Sequence, residues 1–64
     1  MNANQIARLM FVVTQAYLRQ EVSDTEYTDI VMALRDQATS GGIETQAKAA
    51  YDQMCLDWHA LKSA

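Results

Sequence analysis

The stretch that most constrains the fold lies near the start of the chain, at residues 6–19, and reads IARLMFVVTQAYLR. Arranged as a helix at roughly 100° per residue, it carries two apolar stripes and only a narrow polar strip. A helix that is apolar around so much of its circumference is normally buried on more than one side. The first stripe consists of Ile6, Leu9, Met10, Val13, Ala16 and Tyr17. The second consists of Ala7, Phe11 and Leu18.

The size of the chain limits how such a helix can be buried. With 64 residues it is one domain, 1–64, and a core of that size is marginal for independent stability. Cys55 is the only cysteine, so no disulfide can form within one chain, and a zinc ion would have only Cys55 and His59 as strong ligands. Stability must therefore come from helix packing, from self-association, or from both.

The second helix has the clearest local signal. Ser23-Asp24-Thr25-Glu26 matches a capping box, in which Ser23 accepts from the amide of Glu26 and Glu26 reaches back to the amide of Ser23. This pattern starts helix 2 at Asp24. A single narrow apolar stripe then follows at helical spacing. It predicts a helix that packs on the core with one face and exposes the opposite face to solvent. The stripe consists of Tyr27, Ile30, Val31, Leu34 and Ala38.

The paired glycines Gly41 and Gly42 end helix 2, because glycine readily adopts the left-handed conformation that closes a helix. Helix 3 follows with apolar residues that alternate four and three apart, as in a coiled-coil seam. The seam consists of Ala47, Ala50, Tyr51, Met54, Trp58 and Leu61. We expect the aromatic residues on these stripes to lie in the hydrophobic core rather than to form a ligand-binding site.

These signals predict an all-α fold, a small antiparallel three-helix bundle with helices at about 4–20, 24–39 and 44–62. Dimerisation could complete such a bundle. In an alternative arrangement, helices 1 and 2 form a hairpin and helix 3 packs mainly on a second chain.

Charge and hydropathy exclude several classes of protein. The net charge is −3, and the five basic residues are spread along the chain, whereas nucleic-acid binding needs a concentrated basic face. The apolar run of helix 1 is too short to span a bilayer and does not resemble a signal peptide. We expect a complete small cytoplasmic protein that binds neither nucleic acid nor membrane.

The second stripe of helix 1, Ala7, Phe11 and Leu18, is the candidate partner-binding face. It lies roughly 120° or more from the middle of the first stripe. Helices 2 and 3 offer one apolar face each, so we expect these three side chains to be partly exposed in one chain and covered by a second copy or another protein. The default geometry is a two-fold dimer with helix 1 antiparallel to its mate. In the competing arrangement helix 1 is central, and its neighbours cover both stripes.

Met32 and Leu56 are secondary candidates for partner binding, because each is a large apolar residue off the core stripe of its own helix. A separate acidic cluster could bind a basic partner. The simpler interpretation is that these carboxylates cap helix 2 and lie on its solvent-exposed face. The cluster consists of Glu21, Asp24, Glu26 and Asp29.

These observations favour a non-enzymatic protein that acts as a regulator or inhibitor through an apolar helix face, without cofactor or metal. Its partner would be another protein, itself, or both, and phage and other mobile-element genomes encode many such short proteins. A structural subunit of a larger assembly is the alternative among binding proteins. A small metal-dependent enzyme would require Asp52, Cys55 and His59 to converge.

Overall fold

The computed structural model describes residues 1–63, and it consists of three α-helices. They are α1 (Ala3–Leu18), α2 (Asp24–Ser40) and α3 (Glu44–Ser63). The prediction of an all-α, three-helix fold is confirmed. The helix ends agree with the predicted ones to within one residue, except that α1 ends two residues earlier than expected.

Both of the first two helices begin in a capping box. The Ser23 hydroxyl accepts from the Glu26 amide and the Glu26 carboxylate accepts from the Ser23 amide, each at 3.1 Å, as predicted. At the start of α1, Asn2 and Gln5 exchange the same pair of bonds at 2.8 and 2.9 Å. These reciprocal bonds satisfy amides that have no partner inside the helix, which explains where each helix starts.

The ends of α1 and α2 are built alike. The Glu21 amide donates to the Ala16 carbonyl at 2.9 Å, and the Ile43 amide donates to the Ala38 carbonyl at 3.0 Å. Each closure needs a left-handed residue just before the donor, and that residue is Gly42 at φ 68° for α2 but Gln20 at φ 62° for α1. Because α1 has no glycine there, its end could not be located from the sequence.

Helix α1 is central. It packs against both α2 and α3, whereas α2 and α3 make few contacts with each other, and the Cα envelope is flattened to 37 × 26 × 13 Å. Helix 1 therefore lies between its neighbours, as in the competing arrangement, but these neighbours do not cover both of its stripes, since Leu9 and Leu18 are exposed. The core is small. It is centred on Ile6, Leu34, Ala38 and Ala47, with Ala3, Met10 and Ile43 packed against it.

Several residues assigned to core stripes lie at the surface instead. Leu9 of α1, Ile30 of α2, and Trp58 and Leu61 of α3 are all exposed. Their placement on the core stripes is wrong, because α2 and α3 each cover one flank of α1 and leave the edges of the stripes open. The exposed residues form two separate surfaces, one at the end of the α1–α3 pair and one on the open side of the α1–α2 hairpin.

Candidate protein-binding surface

The three residues of the second stripe have different environments. Ala7 is fully buried, so the prediction that it is partly exposed is wrong. Its small side chain lets α3 approach α1 closely. Phe11 is half-buried and Leu18 is 68% exposed, so the expected partial exposure is confirmed for these two. The stripe thus begins inside the α1–α3 contact and emerges at its end.

Phe11 is held by two rings of α3. Its centroid lies 6.4 Å from that of Tyr51 and 6.2 Å from that of Trp58, and both pairs meet edge to face. Such pairs stabilise packing beyond the area that they bury, since the positive ring edge meets the negative ring face. Phe11 therefore anchors α3 to α1 and also orients Trp58.

Beyond Phe11, the two helices border an open groove of ≈ 280 Å³. Leu18 lines it from α1, and Cys55, Trp58 and His59 line it from α3. Leu61 follows Trp58 by three residues on α3, hence on the same helix face, and is 72% exposed. We call the set Phe11, Leu18, Trp58 and Leu61 the α1–α3 surface.

The α1–α3 surface is apolar and uncharged, with one cationic group, Lys62, at its rim. The Lys62 ammonium lies 5.7 Å from the centroid of the Trp58 ring. The Thr14 hydroxyl lowers the pKa of Tyr51, but partial burial and the Cys55 thiol outweigh it and raise the pKa above the ordinary 10.0. Tyr51 is thus uncharged at neutral pH, and the groove is lined by aromatic, aliphatic and uncharged polar side chains together with Lys62, without a carboxylate.

Trp58 and Leu61 were missed as surface residues because their spacing matches the buried half of the seam. At this end of the pair the two helices finish at about the same level, since Leu18, the last residue of α1, and Lys62 of α3 line one groove. Helix α2 makes few contacts with α3 and does not cover the end of the seam. The seam runs from buried Ala47, through half-buried Tyr51 and Met54, to exposed Leu61. The apolar spacing of the seam is the same in its buried and in its exposed part, so it gave no signal that separates them.

Met32 and Leu56 are exposed as isolated side chains. Each lies on the face of its helix opposite the core residues, and neither lines a groove with Phe11 or Leu18. The structure therefore does not bring these two secondary candidates to the α1–α3 surface.

The three residues of the enzymatic alternative are not brought together either. Cys55 and His59 line the α1–α3 groove, whereas Asp52 lines a second groove of ≈ 260 Å³ between α2 and α3 and pairs with Lys48 at 3.1 Å. Within residues 1–63, no three His, Cys, Asp or Glu side chains are grouped so that they could hold a metal ion.

The acidic cluster is used locally. Glu21 pairs with Arg19 at 3.1 Å, and Glu26 closes the capping box of α2. Hydrogen bonds from the Ser23 amide and hydroxyl lower the pKa of Glu26. Asp24 lies with Glu26 in the first turn of α2, where the helix dipole favours negative charge.

Comparison of the chain with protein-family models, with curated proteins and with solved structures found no match. Within the part of the chain that the structure describes, no helix is long and apolar enough to cross a membrane. The function is therefore argued from the α1–α3 surface itself.

Proposed function

We propose that this chain is a small cytosolic, non-enzymatic regulator or inhibitor that binds another protein through the α1–α3 surface. The observation that carries the proposal is the joint exposure of Leu18, Trp58 and Leu61 at one end of the fold. Tryptophan is among the residues that contribute most to binding energy at interfaces, and here it is already oriented by Phe11.

The chemistry of the surface indicates the kind of partner. A helix or loop with an apolar side chain would fit the groove, because Phe11, Leu18 and Trp58 line it, and polar groups of the partner would meet Thr14 and Gln15. An acidic group on the partner, next to the residues that enter the groove, would face the Lys62 ammonium at the rim. Rim charges of this kind affect association rate and specificity more than affinity.

Affinity capture from the native host tests the proposal. Tagged wild type, Leu18→Asp and Leu61→Asp are compared with Leu56→Asp, which changes an equally exposed leucine outside the surface. We expect wild type and Leu56→Asp to retain the same partner, and the other two variants to lose it. Circular dichroism checks that all four chains are equally helical.

The proposal would be wrong if no protein were retained, or if Leu18→Asp and Leu61→Asp retained what wild type retains. Exposed positions are chosen because an aspartate there disturbs the fold little. Phe11→Asp is unsuitable, since a charge against Tyr51 and Trp58 would disrupt the packing of α3 on α1.

A further inference from the structure

We infer that the segment bound by the α1–α3 surface is acidic as well as apolar. One of its apolar side chains enters the groove between Leu18 and Trp58, and an Asp or Glu of the same segment, three or four residues away, pairs with Lys62. This inference rests on the proposed function and names the chemical class of its partner. The observation that carries it is the distribution of charge around the two grooves that α3 lines.

The α1–α3 groove differs in charge from the α2–α3 groove. The chain has eight Asp and Glu residues and five Lys and Arg residues, yet none of the eight lines the α1–α3 groove, whereas Lys62 does. The α2–α3 groove is lined by two cationic and two acidic residues, namely Arg35, Lys48, Glu44 and Asp52. Of these two grooves, the α1–α3 groove is therefore the one with a net positive lining.

The acidic residues in the second half of α3 are engaged elsewhere. Asp52 pairs with Lys48 at 3.1 Å, and Asp57 accepts from the Gln53 amide group at 3.0 Å. Asp57 also lies roughly 140° around the helix from Lys62. Within residues 1–63, neither of the two ion pairs of the fold includes Lys62, so no side chain of the described part neutralises its ammonium group.

The Lys62 ammonium is held beside the apolar part of the surface. It lies 5.7 Å from the centroid of the Trp58 ring, whose negative face attracts a cation. A carboxylate that contacts the ammonium at about 2.8 Å lies within roughly 9 Å of that ring. Side chains three or four residues apart are neighbours on a helix, so one face of a partner helix can supply both the apolar group and the carboxylate.

The net charge of the chain makes this position selective. At −3, the chain on average repels an acidic segment, and Lys62 provides a local attraction at the end of the groove. Attraction at one position combined with repulsion elsewhere favours one orientation of the partner over the others.

Peptide selection tests the inference, with the purified chain immobilised and a displayed library of random peptides as the probe. Lys62→Glu reverses the charge at the groove, and Lys48→Glu makes the same change in net charge outside it. We expect wild type and Lys48→Glu to enrich peptides with Asp or Glu three or four residues from an aromatic or large aliphatic residue. Lys62→Glu should instead enrich Lys or Arg at that spacing. Circular dichroism checks that the three chains are equally helical.

The dissociation constant of one peptide selected on wild type then locates the binding. At low salt, Lys62→Gln should weaken binding roughly two- to fivefold, and high salt should reduce that difference. Leu18→Ser removes an apolar group of the groove without adding charge, so it should weaken binding at every salt concentration. Leu56→Ser, at an equally exposed leucine outside the surface, should leave binding unchanged.

Three results of the selection would overturn the inference: no acidic preference on wild type, the same acidic preference on Lys62→Glu, or no enriched peptide at all. An acidic peptide whose affinity is unaffected by Leu18→Ser would also overturn it, because that peptide would bind outside the groove.

Failure here is distinguishable from failure of the proposed function. If the selected peptides are apolar but not acidic and lose affinity in Leu18→Ser, the acidic partner is wrong and the proposed function stands. If acidic peptides depend on both Lys62 and Leu18 but no protein is captured from the host, the charge preference of the surface stands and the proposed function is wrong.

Discussion

The ring of Phe11 meets the ring of Trp58 edge to face, with 6.2 Å between the centroids and 74° between the planes. This contact joins the last half-buried residue of the second stripe to the first exposed aromatic residue of the α3 seam. It divides the α1–α3 pair into a part that stabilises the fold and a part that is open to solvent.

Phe11→Ala should lower the free energy of unfolding by roughly 2 kcal/mol, less than for a fully buried phenylalanine because Phe11 is half-buried. Leu18→Ala, one stripe position further on, should change it by less than about 0.5 kcal/mol. Urea unfolding followed by circular dichroism measures both. Equal losses for the two variants would show that this division of the surface is wrong.

Ser23→Ala should lower the free energy of unfolding by about 1 kcal/mol, since it removes the hydroxyl that accepts from the Glu26 amide at 3.1 Å. Ser23→Asp retains an acceptor and should lose much less. The midpoints of thermal and urea unfolding measure the difference. Identical midpoints for wild type and Ser23→Ala would exclude a stabilising cap at this position.

The capping box also predicts a pH dependence. The pKa of Glu26 is lowered below its ordinary 4.5 by hydrogen bonds from Ser23, so the folded chain binds the proton less readily than the unfolded chain. The resulting stabilisation is complete above the unfolded pKa and is lost as the pH falls through the folded pKa.

In Glu26→Gln, the decline in unfolding free energy between about pH 5 and pH 3 should therefore be shallower than in wild type. Asp29→Asn, which removes a carboxylate of the same helix outside the capping box, is the control. Unfolding by urea at a series of pH values provides the measurement. The pH dependence would not come from Glu26 if the slope of unfolding free energy against pH were unchanged in Glu26→Gln but altered in Asp29→Asn.

Gln20→Gly should raise the free energy of unfolding by about 1 kcal/mol, because Gln20 holds φ 62° and glycine adopts that conformation without the steric cost of a Cβ. The same argument gives the opposite sign at the end of α2. Gly42→Ala should destabilise by about 1 kcal/mol even though its Cβ would meet nothing within 4 Å. If Gly42→Ala were neutral, the left-handed closure would not limit stability at either helix end.

Local features were predictable from the sequence because their causes lie within a few residues of each other. The Ser23–Glu26 capping box, the break at Gly41 and Gly42, and the period of each apolar stripe all act over one or two helical turns. They specified three helices and their order. The end of α1 escaped prediction because Gln20 adopts a conformation that is usually left to glycine.

The division of each stripe between core and surface depends instead on the neighbouring helices. Ala7 lies between the packed helices and is fully buried, whereas Leu61 lies near the level of Leu18, the last residue of α1, at the open end of the fold and is exposed. Leu9 and Ile30 are exposed because α3 covers only one side of the hairpin. Helix period reports which residues share a face, but only the positions and lengths of the packed helices specify which faces are covered.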